Sequence, residues 1–415
     1  MNVYVDYRTH LSGLPRGEAA DFFPTYPTPF TGSLFREGWN QARRLLSMRL
    51  NADLPSPWAW DKGQFHVVPA FWSAAIQALD LPGHTVTHLL ALPGFPREKS
   101  HRPRRGLLSL FARSRKRSTD AYQEDIERLD HEIGRWYRQV QRMSWVQAEI
   151  LQVMEEVAVY VGKALYGYTL ATLALLEAIA HTPDPSQWIQ EVYTSAHALP
   201  SIQPILPQQE GKSLQTLAHE VPWLGFQPFE TAVPRWAEDT SMLDKIPTLS
   251  PEQRSTTGVP SPWLAARERM RVHLARVITA TRRWIHAAAQ EALEDGRIQK
   301  VDDIFLLELE EVKQMMTGEW SDPQHVHRII GKRHRTYEGE KPIPRHAKGW
   351  LQDITAFPED STVAAPGWHP GWWVQAAQAR QLGTAVTSPL SYGHLLAAAL
   401  NKPIRVVNTA LQEGE

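Results

Sequence analysis

The chain has 415 residues, 42% apolar and 21% charged, which suits a globular protein with a real core and room for two or three domains, or one large helical domain plus a small one. Forty-four Lys and Arg against 45 Asp and Glu give a net charge of −1, so bulk charge points to neither nucleic acid nor membrane. Cysteine is absent, which excludes disulfides, thiol catalysis and Cys-ligated metals.

The start, MNVYVDYRTH, has no basic region followed by an apolar core, so no signal peptide is expected and the protein is placed in the cytoplasm. Residues 1–35 are rich in proline and aromatics, with little helical periodicity before Gly32; a helix is expected over 36–53. GQFHVVPAFWSAAIQALDLPG reads as a short strand or extended piece, then a helix ending at Leu81. Residues 97–117 carry nine Lys or Arg against one Glu and read as a solvated, partly disordered loop. Patterned helices follow at 119–143, 145–181, 186–197 and 211–220. The most apolar stretch, 164–176, is too short for a bilayer, which needs about 20 residues, so a buried core helix is expected. Another long helix fits 262–295, with Pro262 in its first turn and Gly296 just past its end. VDDIFLLELEEVKQMM then gives a short extended piece and a helix. From about residue 341 the pattern changes to short β-type pieces in STVAAPGWHPGWW, GTAVTS and KPIRVVN, with one helix around 391–401.

The motifs then fall into a known order. TVAAPGWHPGWWVQAAQARQLGTAVTSPLSYGHLLAAALNKPIRVVN resembles the swivelling phosphohistidine domain of the PEP-utilising enzymes, such as PEP synthase and rifampin phosphotransferase. Pro366, Pro370 and Trp372 or Trp373 suit that family's turn, and Val386 and Thr387 its strand end. Ser391, Ala397, Leu400, Pro403 and Val406 suit its helix and following strand. Upstream, PTYPTPFTGSL resembles the start of the family's helical, acceptor-binding region. LGFQPFETAVPRWAED, ARERMRVHLARVITATRRWI and DGRIQKVDDIFLLELEEV resemble three further elements of it. The resemblance covers nearly the whole chain. It implies a mainly α fold: a helical acceptor-binding-like domain over 1–340 and a small C-terminal α/β domain of the swivelling type over 341–415, truncated before its closing strands. No counterpart of the family's ATP-grasp domain is expected, because no glycine-rich phosphate loop stands near residue 1.

The departures fall on the chemistry. The carrier histidine's position is held by Tyr392, and a phenol with a pKa of about 10 is a poor phosphoryl carrier at neutral pH. The glycine pair that lets the backbone approach the phosphate is missing. His394 is the relocated alternative, but two positions along a helix is ~200° around it. The expectation is a disabled site.

In the helical region the family's polar pair gives way to Phe226 and Gln227, while Glu230, Arg235, Trp236 and Glu238 match, as do Arg267, Glu268 and Arg271. The resemblance therefore makes Phe226, Glu230, Arg235, Arg267, Glu268 and Arg271 the expected ligand-facing set, suited to a hydrophobic small molecule with one anionic or hydrogen-bonding end. The competing reading of Glu230, Arg235 and Arg267 is ion pairs that pin helices together. Trp368, Trp372 and Trp373 fit either an aromatic ligand wall or the packing of a small domain. His325 and His327 point to different sides of a helix with no third ligand evident, so no metal and no cofactor are expected.

Three functions compete: a non-phosphorylating binding or accessory subunit, the acceptor-binding subunit of a split phosphotransferase or ligase whose ATP-grasp domain is a separate protein, and a nucleic-acid binder using the basic stretch. The last is disfavoured, because Phe111 is the only stacking aromatic there and no recognition motif follows.

Overall fold

The computed structural model describes residues 17–82, 108–206, 214–239, 259–339 and 362–406, except 25, 62, 181, 183, 321 and 366. The fold is mainly α. After the short α1 (Ala19–Phe22), α2 runs over Pro29–Leu50, starting seven residues before the sequence pattern indicates. The local cause is a strong start signal. Pro29 occupies the first helical position, and the Thr28 hydroxyl accepts the Thr31 N–H at 3.3 Å. Asn51, left-handed at φ 48°, ends the helix. An antiparallel hairpin follows, β1 (Trp58–Asp61) with β2 (Gln64–Val67), pairing Trp58 with Val67, and then α3 (Pro69–Ala78). The sequence signalled β2 but not β1, which hides behind two prolines.

Helix α4 spans Leu108–Val140, so residues 108–117 of the basic stretch are helical rather than loop; residues 97–107 lie outside the described residues. Past Pro103 and Gly106 nothing breaks the helix, since Leu, Ala, Arg and Lys all favour it. Helix α5 (Gln147–Ala180) is the central one and packs against α2, α4 and α8 (Pro262–Glu294). Among the described residues it alone is long and apolar enough to cross a membrane, yet 83% of its apolar window is buried within the protein. That is the state of a core helix.

The crossing of α2 and α5 depends on having no side chain at one point. A Cβ on Gly162 would stand 2.6 Å from Gln41 Cβ and 3.0 Å from the Gly38 carbonyl oxygen, so the two backbones touch there.

Around this core lie α6 (Pro185–Ser195), α7 (Leu214–Glu220), α9 (Leu309–Met316) and α10 (Pro323–Gly339). Residues Val301–Leu306, expected to be extended, form a 3-10 helix instead. Asp303 turns back to accept the Lys300 N–H at 3.0 Å, closing the chain into a turn.

Residues 362–406 hold three short strands, β3 (Thr362–Ala365), β4 (Gln381–Thr384) and β5 (Ile404–Val406), in a parallel sheet of order β3-β4-β5. Helix α11 (Trp373–Gln378) lies between β3 and β4, and α12 (Tyr392–Ala399) between β4 and β5. The boundary expected near residue 341 lies outside the described residues. The core does not divide: Trp368, Leu382, Tyr392 and Leu396 belong to the same buried cluster as Phe30, Leu165 and Trp284. Gly371 marks the closest approach, because a Cβ there would stand 2.0 Å from the Gly225 carbonyl oxygen.

Gly162→Ala tests the helix crossing by its sign. In an ordinary helix interior this change raises stability by roughly 1 kcal/mol. Here overpacking should lower it by about 1–3 kcal/mol, read from urea unfolding. A gain would show that the helices do not meet at that point.

Candidate functional site

The matched residues divide between two buried clusters. The first is built on the loop 224–239, whose ends meet in a bridge between Gly225 and Arg235. Arg235 is its spool. Its Nη1 donates to the carbonyls of Val233 at 2.7 Å and Glu230 at 3.2 Å, its Nη2 to that of Pro228 at 3.2 Å, and its Nε to the Thr279 hydroxyl at 3.0 Å. Burial pulls this guanidinium down to about 10, leaving it charged at neutral pH. Glu230 turns the other way and holds the start of α2, accepting from the Thr28 N–H at 3.0 Å, the Thr28 hydroxyl at 2.8 Å and the Thr31 hydroxyl at 2.6 Å. Phe226 packs edge-on against Trp236, ring centres 6.1 Å apart. Glu230 and Arg235 thus bond mainly to backbone and hydroxyl groups and form no ion pair with each other.

The second cluster joins α8 to the two ends of the described chain. Arg267, Glu268 and Arg271 lie on one turn of α8 and are each 0–1% exposed. Arg271 Nε donates to Glu268 Oε2 at 2.9 Å, and the Ser201 hydroxyl donates to the same oxygen at 2.7 Å. Arg267 donates to Glu18 at 3.1 Å and to the Leu390 carbonyl at 2.8 Å. The Tyr168 hydroxyl is the hub: it accepts from Arg267 at 2.5 Å and Arg271 at 3.1 Å and donates to Glu18 at 3.1 Å. Burial pushes that phenol far above its usual value, so it stays a donor. Burial pulls against the Arg267 charge, but Tyr168, Glu18 and Glu268 more than offset it and raise the group above the ordinary arginine value.

Three aromatic rings enclose the Arg271 guanidinium, with centres at 4.4 Å (Phe22), 5.1 Å (Tyr392) and 5.3 Å (Tyr168). Tyr392, the first residue of α12, is fully buried, and its hydroxyl donates to the Ser201 carbonyl at 3.2 Å. Burial holds this phenol well above its usual range, so no phenolate nucleophile forms near neutral pH. His394 takes no part in the cluster. Its Nδ1 bonds to the Ser391 hydroxyl at 2.8 Å, and burial pulls it down to about 4.

Three contributors went unrecognised in the sequence. Asp21 accepts the N–H of Trp368 at 3.0 Å and of Tyr392 at 2.8 Å, tying α1 to the C-terminal segment; burial raises it to about 6 despite the nearby Arg271. Tyr168 lies inside an apolar run that reads only as core. His369, fully buried, accepts the Gly371 N–H on Nδ1 at 3.1 Å, and burial with Arg271 nearby lowers it to about 3. The one available signal was polarity inside apolar surroundings, at Asp21 in AADFF and His369 in GWHPGWW.

Among the described residues four buried atoms here have no hydrogen-bond partner: Arg267 Nε, Glu268 Oε1, Arg271 Nη1 and His369 Nε2. All six expected ligand-facing residues are at most 6% exposed, so in this state none of them presents an open binding surface. Trp368, Trp372 and Trp373 are 1–3% exposed, and Trp368 Nε1 donates to the Gly383 carbonyl at 2.9 Å, which is packing. His325 stands edge-on to Trp320, and no group of three or more metal-ligating side chains occurs among the described residues.

Arg271→Met removes the charge that Glu268 is buried against and should lower the unfolding free energy by about 3–5 kcal/mol. Tyr392→Phe, which frees one carbonyl, should cost about 1 kcal/mol. Urea titration of both variants checks the order; equal losses would mean that the cation adds nothing.

The pH dependence follows from signs. His369, His394 and the half-buried His286, lowered to about 4 by burial, are held neutral. Their stability contribution is complete above about pH 6.5 and is lost as pH falls towards 4. Asp21 has the opposite sign and recovers stability as pH falls from 6 towards its ordinary value. Three histidines outweigh one aspartate, so the melting temperature should fall from pH 6.5 to pH 4.5. His369→Asn keeps the acceptor for Gly371 without the titration and should flatten that fall by up to about 1.4 kcal/mol per pH unit; an unchanged slope would place the titration elsewhere. No family model matches the chain, and no curated protein matches it.

Proposed function

We propose that this chain is a non-phosphorylating relative of the PEP-utilising enzymes, acting as a cytoplasmic small-molecule-binding or accessory subunit. In this reading residues 362–406 are a degenerate swivelling domain, and α8 with the 224–239 loop is the acceptor side. One observation carries it. Tyr392, at the carrier position, and Arg267, Glu268 and Arg271, at acceptor-motif positions, were matched from separate stretches of sequence, yet Arg271 Cζ lies 5.1 Å from the Tyr392 ring centre. A phosphoryl carrier must reach its acceptor, and the closeness of these two positions supports the reading. The chemistry is missing: the phenol is buried, already donates its proton and is held far from ionisation. Phe22 and Phe229, with ring centres 4.8 Å apart, add apolar surface between the clusters, which favours a hydrophobic ligand with one polar end.

The test is incubation with PEP and with ATP labelled at the β or γ position, followed by assay for acid-labile phosphohistidine. No label is expected. Label that disappears in His394→Ala would overturn the reading. Label that appears only with an added ATP-grasp protein would replace it with a split phosphotransferase.

A further inference from the structure

A second site lies away from these clusters, where the C-terminal end of α4 meets the start of α5. Arg135 and Arg138 stand at i and i+3 near the end of α4, and Arg142 follows in the turn just after the helix ends at Val140. They line a cleft of about 470 Å³ with Gln139, Glu149 and Gln152. All three arginines are exposed. Among the described residues none of them has an ion-pair partner, unlike Arg36, Arg49, Arg282 and Arg333. Of the carboxylates on the same stretch of α4, Glu132 pairs with Lys163 at 2.9 Å and Asp130 with His273 at 2.5 Å.

One further feature favours negative charge in this cleft. The start of α5 faces the cleft through Glu149 and Gln152, bringing the positive end of a 34-residue helix. Glu149 already accepts the Val146 N–H at 3.3 Å, so it works as a cap within its own turn.

We propose that this cleft binds a small molecule carrying several linked phosphate groups. Three guanidiniums lining one cleft suit a short phosphate chain, with each planar fork able to grip one phosphate. The cleft's volume suits one small ligand rather than a long groove. The inference does not depend on the function proposed above, whose clusters share no residue with the lining of this cleft.

The test is calorimetric titration of the full chain with sodium tripolyphosphate at fixed ionic strength. Saturable binding at one site is expected, weakened tenfold or more in the double variant Arg138→Gln/Arg142→Gln and unchanged in Arg36→Gln. Melting temperatures of the free proteins check folding, and the single variant Arg135→Gln, expected to weaken binding about threefold or more, gives a second reading. No binding, or equal affinity in the double variant, would overturn the proposal and leave the arginines as partners of the α4 helix dipole. Tighter binding to duplex DNA that grows with duplex length would overturn it in favour of a nucleic-acid face.

Discussion

Two guanidiniums buried in the first third of α8 impose the main constraint on this structure. A charge removed from water is tolerated only when its surroundings replace the lost hydration. Around Arg267 and Arg271 that replacement comes from separate parts of the chain: Glu18 and Phe22 near the beginning, Tyr168 on α5, Glu268 on α8 itself, and Leu390 and Tyr392 near the end. The cluster is therefore the junction of the fold. Its polar groups are unevenly used, since the acceptor Glu268 Oε1 and the donor Arg271 Nη1 have no hydrogen-bond partner. Such residual polarity marks a place where structure and ligand binding can compete.

Tyr392 is instructive as an attachment. The phenol lays an aromatic face against Arg271 and fixes its hydroxyl on a main-chain carbonyl. Together with Asp21, which holds the N–H groups of Trp368 and Tyr392, it fastens the parallel sheet region to the helices. A mobile carrier needs a weak contact that forms and breaks. Full burial of Tyr392, Asp21 and His369 is the opposite design.

Much of the helical framework could be read from the sequence. The ends of α5 and α8 lie within two residues of the pattern-based limits, because long apolar periodicity and the Pro262–Gly296 pair are local signals. The failures were also local. The start of α2 is set by Thr28 and Pro29 in a stretch dominated by aromatics, and the 3-10 turn at 301–306 is set by one Asp303 hydrogen bond that no periodicity records. For the site, the resemblance supplied Arg267, Glu268, Arg271 and Tyr392 but not their meeting. Asp21 and His369 offered only their polarity inside apolar stretches, and Tyr168, within an apolar run, looks in sequence like any core position. Glu230 and Arg235 were legible as residues, but their work as backbone holders depends on the loop's path.

The bonds from Asp21 to Trp368 and Tyr392 also bear on the order of folding. They span 347 and 371 residues, so the contact that completes the junction cannot form during synthesis until nearly all of the described chain has left the ribosome. Until then α2, α5 and α8 can assemble, but Arg267 and Arg271 must stay hydrated, because their last neighbours do not yet exist. The helical core is thus held in a solvated, unfinished form until the C-terminal strands arrive. Closing so large a loop is slow, and the final docking of residues 362–406 should be the late step in forming the native protein.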